Sequence, residues 1–246
     1  MSDERQAGPG RHGAARVPGG YGTGPGVITP DGCAVDFYAM LSPGREPEIV
    51  HAAAGHPAAS ILELGSGTGR VTGALTALGH RVVAVDESPE MLAHITTAET
   101  VCARIEDLAL DERFDVVLLA SHLINVPAER VRQELLRACA RHVSAAGCVI
   151  IEQHPPGWFA DAEDTESESD GITFRLRRVS RPAPDLLSAT VEYQAGDRLW
   201  TQPFTALRLS EDQLRQTLAD AGLAFDRYLT DDRSWLRAVP LERRDR

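Results

Sequence analysis

Residues 61–70, Ile-Leu-Glu-Leu-Gly-Ser-Gly-Thr-Gly-Arg, join a short apolar run to a loop with glycine at every second position: Gly65, Gly67 and Gly69. Glycine lets backbone approach a ligand closely, and a helix opening after such a loop turns its free N–H groups toward it. Asp86 closes the next apolar run, Val82 to Val85, roughly twenty residues downstream, where a βαβ unit places a ribose-binding carboxylate. Each carboxylate oxygen can accept from one ribose hydroxyl. This is the pattern of a nucleoside-cofactor site.

The glycine spacing narrows the cofactor. In a dinucleotide-binding G-x-G-x-x-G loop the third glycine packs helix on strand beside a pyrophosphate. Here that position is Arg70, glycine falls one place early at Gly69, and Glu63 stands two residues before Gly65. A carboxylate there repels a pyrophosphate and attracts a cofactor carrying an ammonium and a sulfonium. A second set of polar residues closes two later apolar runs: Ser121-His122-Leu123-Ile124-Asn125 and Glu152-Gln153-His154. Imidazole titrates near neutral pH, so His122 and His154 are candidate general bases or substrate orienters, with hydrogen-bonded scaffold as the alternative role. Glu152 either orients one of them or faces a helix. Trp158, Phe159 and Trp200 either line an acceptor pocket or anchor a local core.

The elements that position these groups alternate along the chain. Residues 1–26 are rich in Gly, Pro and charge and read as a disordered tail, because they bury too little to repay the entropy of ordering. Short helices over 35–41 and 47–54 form a lid before a strand at 60–64. Then come helix 69–78, strand 80–85, helix 89–96, strands 100–103 and 114–120, helix 128–142 and strand 148–153, with Ala145-Ala146-Gly147 as a turn. Continuously apolar strands between helices imply a doubly wound, mostly parallel α/β sheet. Acidic residues crowd 161–170, read as a loop or mobile flap. Segments 172–179, 187–194 and 198–209 alternate at strand period and predict an antiparallel insertion. Ser210 and Gln213 offer a capping box to the next helix, Gly222 ends it, and 223–230 with 234–239 form a last hairpin. The domain boundaries expected are tail 1–26, cofactor-binding core 27–156, flap and insertion 157–209, and C-terminal helix and strands 210–246.

Composition excludes several classes. The 246 residues carry a net charge of -11, which opposes a nucleic-acid partner and favours a small molecule. All 25 basic residues are arginine, so no lysine exists for a Schiff base, a P-loop or a kinase ion pair. Cys33, Cys102, Cys139 and Cys148 form no C-x-x-C pair, so neither a metal site nor a disulfide framework is expected. No apolar run approaches the roughly 20 residues of a membrane span, and a cytoplasmic location without membrane contact is expected.

The E-x-G-x-G-x-G loop followed by Asp86 resembles motif I of the class I S-adenosylmethionine-dependent methyltransferases. Over roughly 35–240 the element order is similar to the small-molecule branch, and the antiparallel insertion after strand five to the sugar N,N-dimethyltransferases of antibiotic biosynthesis. The resemblance implies a seven-stranded class I fold, S-adenosyl-L-methionine as cofactor, and methyl transfer to an O or N atom of a small metabolite in secondary metabolism. It implies that Gly65, Ser66, Gly67 and Gly69 approach the methionine portion, that Glu63 helps hold its α-amino end, and that Asp86, followed by Glu87, takes the ribose hydroxyls. Met91 meets adenine or packs in the core. Ile105 and Glu106 stand beside adenine, where Arg104 replaces an aspartate frequent in relatives, and Ala120 ends strand four at the site. Tyr38 contacts cofactor or acceptor, or packs in its helix. In the branch the insertion forms a cap or dimer surface, which leaves open a homodimer through the insertion. No Asn/Asp-Pro-Pro-aromatic or Pro-Cys motif follows strand four, which argues against nucleic-acid bases as acceptors. A nicotinamide-dependent oxidoreductase and a non-catalytic binding protein of this fold are the alternative readings.

Overall fold

Apolar runs that bury both faces set the central layer. The computed structural model describes residues 22–241. Strands β1 (Ser60–Leu64), β2 (Arg81–Asp86), β3 (Glu99–Cys102), β4 (Phe114–Leu119) and β5 (Val143–Glu152) pair in parallel. A separate antiparallel sheet follows: β6 (Thr165–Ser169), β7 (Ile172–Ala183), β8 (Leu186–Ala195) and β9 (Arg198–Leu207). The hairpin β10 (Leu223–Tyr228) and β11 (Trp235–Pro240) then completes a seven-stranded sheet in the order β10-β11-β5-β4-β1-β2-β3, with β11 antiparallel to both neighbours. This is the doubly wound α/β sheet with an antiparallel insertion after strand five that the sequence implies.

Side-chain alternation along the strands divides the core in two. The helices are α1 (Val35–Tyr38), α2 (Glu46–Ala54), α3 (Arg70–Ala77), α4 (Pro89–Leu92), α5 (Glu129–His142), α6 (Trp158–Asp161) and α7 (Glu211–Asp220). Leu62, Leu64, Val117, Leu119, Val149 and Ile151 face α5 and α7, whereas Ile61, Val116, Leu118 and Ile150 face α2 and α3. The capping box of α7 forms, with Gln213 N–H donating to Ser210 Oγ at 3.3 Å and Ser210 N–H to Gln213 Oε1 at 2.8 Å. No helix among the described residues is long and apolar enough to cross a membrane.

Three expectations change. Ala145-Ala146-Gly147 is not a turn: β5 runs through it, with a register shift opposite Phe114 to Val116 that places Gly147 against the β4 backbone. A Cβ on Gly147 would lie 2.7 Å from the Asp115 carbonyl oxygen, so only glycine fits there. Part of the acidic flap is edge strand β6, held because Glu166 accepts from Arg175 Nε at 2.7 Å and Arg177 Nη2 at 2.8 Å on β7. Alternating Thr-Glu-Ser-Glu-Ser before a Gly turn carried that signal. Of the expected tail, residues 1–21 lie outside the described residues. Residues 22–26 are tied to β9: Thr23 and Thr201 exchange backbone hydrogen bonds at 2.8 and 2.9 Å, and Trp200 Nε1 donates to Pro25 O at 2.8 Å.

That N-terminal stretch covers one end of the insertion sheet, where Ala34, Phe37, Ile172 and Trp200 form a buried cluster. The ring of Phe37 stacks on Tyr193 at 3.8 Å. At the other end α6 packs Phe159 and Ala162 on Leu187, Ala189 and Ala206. The insertion is thus clamped to the core at both ends. The Gly147 contact gives a direct check: Gly147→Ala should lower stability by about 1–3 kcal/mol through overpacking, read as a reduced denaturation midpoint in urea with the m-value unchanged.

Candidate active site

The glycine loop connects β1 to α3 through backbone angles that side chains disfavour. Gly65, Gly67 and Gly69 have φ of 73°, 55° and 81°. The N–H groups of Gly65 and Ser66 both donate to Val85 O, at 2.8 and 2.9 Å, so the loop is held to the end of β2. Asp86 completes that attachment. Its Oδ2 accepts from Gly67 N–H and its Oδ1 from Ser88 N–H, both at 2.9 Å. Burial raises the Asp86 pKa and these two backbone donors work against that rise. Each oxygen retains a lone pair for a further donor.

Glu63 is buried at 4% exposure and accepts from Thr72 Oγ1 of α3 at 2.6 Å. Burial pushes its carboxyl up to about 7. Beside the loop stand two apolar side chains: a Cβ on Gly65 would lie 3.1 Å from Leu123 Cδ1 and 3.9 Å from Ile105 Cδ1. Met91 is buried, and its N–H donates to Ser88 Oγ at 3.2 Å, capping α4. Partial desolvation of the Glu87 carboxyl, with the nearby Asp31 charge, raises its pKa although the residue reaches solvent. Glu106 pairs with Arg104 at 3.1 Å, in the 3-10 turn Ile105–Asp107. Ala120 follows β4, half-buried.

Tyr38 joins the lid to both walls. Its carbonyl accepts from Thr68 Oγ1 at 3.0 Å and its hydroxyl donates to Gln202 Oε1 of β9 at 3.4 Å. Burial holds the phenol well above its ordinary pKa. Arg70, at the start of α3, forms an ion pair with Glu46 at the start of α2.

The neighbouring strand ends carry the second polar group. Ser121 and His122 are consecutive non-glycine residues in the left-handed region, φ 55° and 58°. Such strain persists only where surrounding contacts over-determine it, and it concentrates at functional sites. Ser121 N–H donates to Glu152 Oε2 at 2.7 Å, and His122 Nε2 lies 3.9 Å from Glu152 Oε1. The His122 ring stacks on His154 at 3.9 Å, and His154 on Trp158 at 4.1 Å. Burial lowers His122 to about 4 and His154 to about 3, so both imidazoles are neutral at pH 7. Burial raises Glu152 to about 7. Asn125 fixes this edge to the insertion, accepting from His154 N–H at 2.8 Å and donating to Leu207 O at 2.9 Å.

The structure thus brings together Gly65 to Gly69, Asp86, Ile105 and Tyr38 on one side, and His122, His154 and Glu152 on the other. Trp200, 1% exposed, and Phe159 anchor the insertion, while Trp158 faces His154. Glu46 emerges only here, and Asn125 gains a definite role. Asn125 carried a weak signal by position at a strand end, and Glu46 carried none beyond its place in a helical first turn.

Residues 61–147 match the family model for a methyltransferase domain. The fold is the class I methyltransferase fold. It is 31% identical over 162 residues to the cypemycin N-terminal methyltransferase of a Streptomyces species, a match covering 60% of this chain and 64% of that relative, under two thirds of its length. Its fold is similar to a methyltransferase of Streptomyces caelestis, TM-score 0.67 at 20% identity, covering 84% of this chain and 96% of the other. It is also similar to a sugar N-methyltransferase of a Streptoalloteichus species, TM-score 0.62 at 22% identity, covering 80% and 85%.

The two neutral histidines leave a mark on stability. Their folded pKa values lie below the unfolded value of about 6.5, so the folded state binds fewer protons. The stability they contribute is complete above that value and is lost as pH falls through about 4 and then about 3. Glu63 and Glu152, raised to about 7, act in the opposite sense, favouring the folded state most below their unfolded values. Thermal melts of the parent and a His122→Asn/His154→Asn variant at pH 7 and pH 4 should therefore differ, the parent losing more on acidification. Equal losses would contradict burial of neutral imidazoles.

Proposed function

We propose that this protein transfers a methyl group from S-adenosylmethionine to an amine nitrogen of a small molecule in secondary metabolism. One observation carries the cofactor reading: the Asp86 carboxylate, held by Gly67 and Ser88 N–H groups, at the mouth of a loop with three left-handed glycines. The residues present fit that cofactor. Ser66 Oγ in the loop and His122 Nδ1 at the facing strand end are buried without a hydrogen-bond partner among the described residues, and a bound polar ligand would satisfy them.

When bound, S-adenosylmethionine supplies an electrophilic methyl on a sulfonium. The chain's part is to bind, orient and exclude water. Asp86 takes the ribose hydroxyls, while Ile105, Leu123 and Met91 give adenine an apolar wall beside Glu106 and Ala120. Tyr38 and the N-terminal stretch close the cleft against solvent. An amine attacks only as its free base, so the site must accept a proton from an ammonium. Glu152, brought to about 7 by burial, is ionised to a useful degree at neutral pH, and His122 stands beside it to orient the acceptor. Similarity to an N-terminal methyltransferase and to a sugar N-methyltransferase supports nitrogen as the acceptor atom.

Calorimetric titration with S-adenosylhomocysteine tests the cofactor. The parent should bind, and Asp86→Ala should weaken binding by about 1.5–3 kcal/mol, the size of a lost charged hydrogen bond. Absence of binding by the parent at high micromolar concentration would overturn the proposal. Mass spectrometry of primary and secondary amines incubated with enzyme and cofactor should show gains of one methyl, and Glu152→Gln should suppress them.

A further inference from the structure

Beyond the ribose site, the glycine loop is flanked by a charged pair that neither the family match nor the motif assigns. Glu46 opens α2, Arg70 opens α3, and one oxygen of Glu46 takes the Arg70 guanidinium. Both side chains are largely covered, 15% and 24% exposed. Burial disfavours the Glu46 charge, but Arg70 and backbone donors outweigh it and keep this carboxyl below its usual range. Its other oxygen, Oε2, is buried against Gly44 and makes no well-aligned hydrogen bond among the described residues. A buried ionised carboxylate oxygen without a well-aligned donor is costly, so Oε2 is poised to accept one.

The position of the pair identifies the donor. Arg70 directly follows Gly69, and the next loop residue with an unsatisfied buried side chain is Ser66, through Oγ. Arg70 uses one Nη on Glu46, and the rest of its fork of N–H donors remains for an anion. A poised acceptor and a partly free guanidinium where the loop enters α3, with a lone hydroxyl four residues earlier in the same loop, complement an α-amino acid zwitterion. Glu63 is turned to Thr72 instead.

Resting on the cofactor reading above, we propose that the Glu46–Arg70 pair is the receptor for the methionine end of the cofactor. Glu46 Oε2 accepts from the α-ammonium, and Arg70 with Ser66 donates to the α-carboxylate. Because Glu46 belongs to α2, the cofactor's amino-acid end then links α2 to the glycine loop, whereas its nucleoside end is read by Asp86 on β2. The α2 helix thereby reports which half of the cofactor is bound.

Two probes separate the halves: S-adenosylhomocysteine, which carries the zwitterion, and 5′-methylthioadenosine, which lacks it. Calorimetry on the full chain should show tighter binding of S-adenosylhomocysteine. Glu46→Gln should weaken that ligand by roughly 10–100-fold, the range for a lost hydrogen bond to a charged group, and leave 5′-methylthioadenosine within about twofold. Arg70→Met should do the same. Loss of both ligands alike, or of neither, in a folded variant would overturn the inference. In the parent, hydrogen exchange gives a check independent of variants: S-adenosylhomocysteine should slow exchange over α2, residues 46–54, and 5′-methylthioadenosine should not. Equal protection by both ligands would also overturn it. If the parent binds neither ligand, it is the cofactor reading itself that fails.

Discussion

The site depends on one carboxylate with two backbone anchors. Asp86 sits where β2 ends, and its oxygens take the N–H groups of Gly67 in the loop before it and Ser88 in the turn after it. Two segments that would otherwise move independently are thereby fixed to one charged group. The loop can reach Asp86 only through three positive φ angles, which explains glycine at each of those positions. The turn, once fixed, presents Ser88 Oγ to cap α4 and buries Met91. A carboxylate that already satisfies its own scaffold is rigid, and rigidity is what a ligand-binding carboxylate contributes to affinity.

The second constraint is attachment of the insertion. A four-stranded sheet beside the core would be an independent body without the ties at both of its ends. The N-terminal stretch pairs with β9 and places Tyr38 between Thr68 and Gln202, while Asn125 links His154 to Leu207. Between these ties lies the His122, His154 and Trp158 stack. Its burial keeps both imidazoles neutral, so in this cluster the group that titrates near pH 7 is Glu152 rather than either histidine. In the proposed reaction the base role that the sequence suggested for imidazole therefore passes to the carboxylate beside it.

Legibility in the sequence followed the range of the interactions. The parallel sheet was readable because runs such as Val116 to Leu119 must be buried on both faces, and the glycine loop because its spacing reports backbone angles directly. The capping box at Ser210 is equally local. What was hidden was long-range. Gly147 looked like a turn because nothing local reveals the β4 carbonyls against it. Residues 22–26 looked unable to order because their partner, the β9 edge, lies far along the chain. Glu46 meets Arg70 only through packing of α2 on α3, and an isolated glutamate in a helical first turn has no distinguishing neighbour.

A crystal structure with S-adenosylhomocysteine bound tests the central claim most directly. The account predicts both ribose hydroxyls within hydrogen-bond distance of the Asp86 carboxylate and the sulfur turned toward His122 and Glu152. A ligand bound elsewhere, or with its ribose away from Asp86, would contradict it.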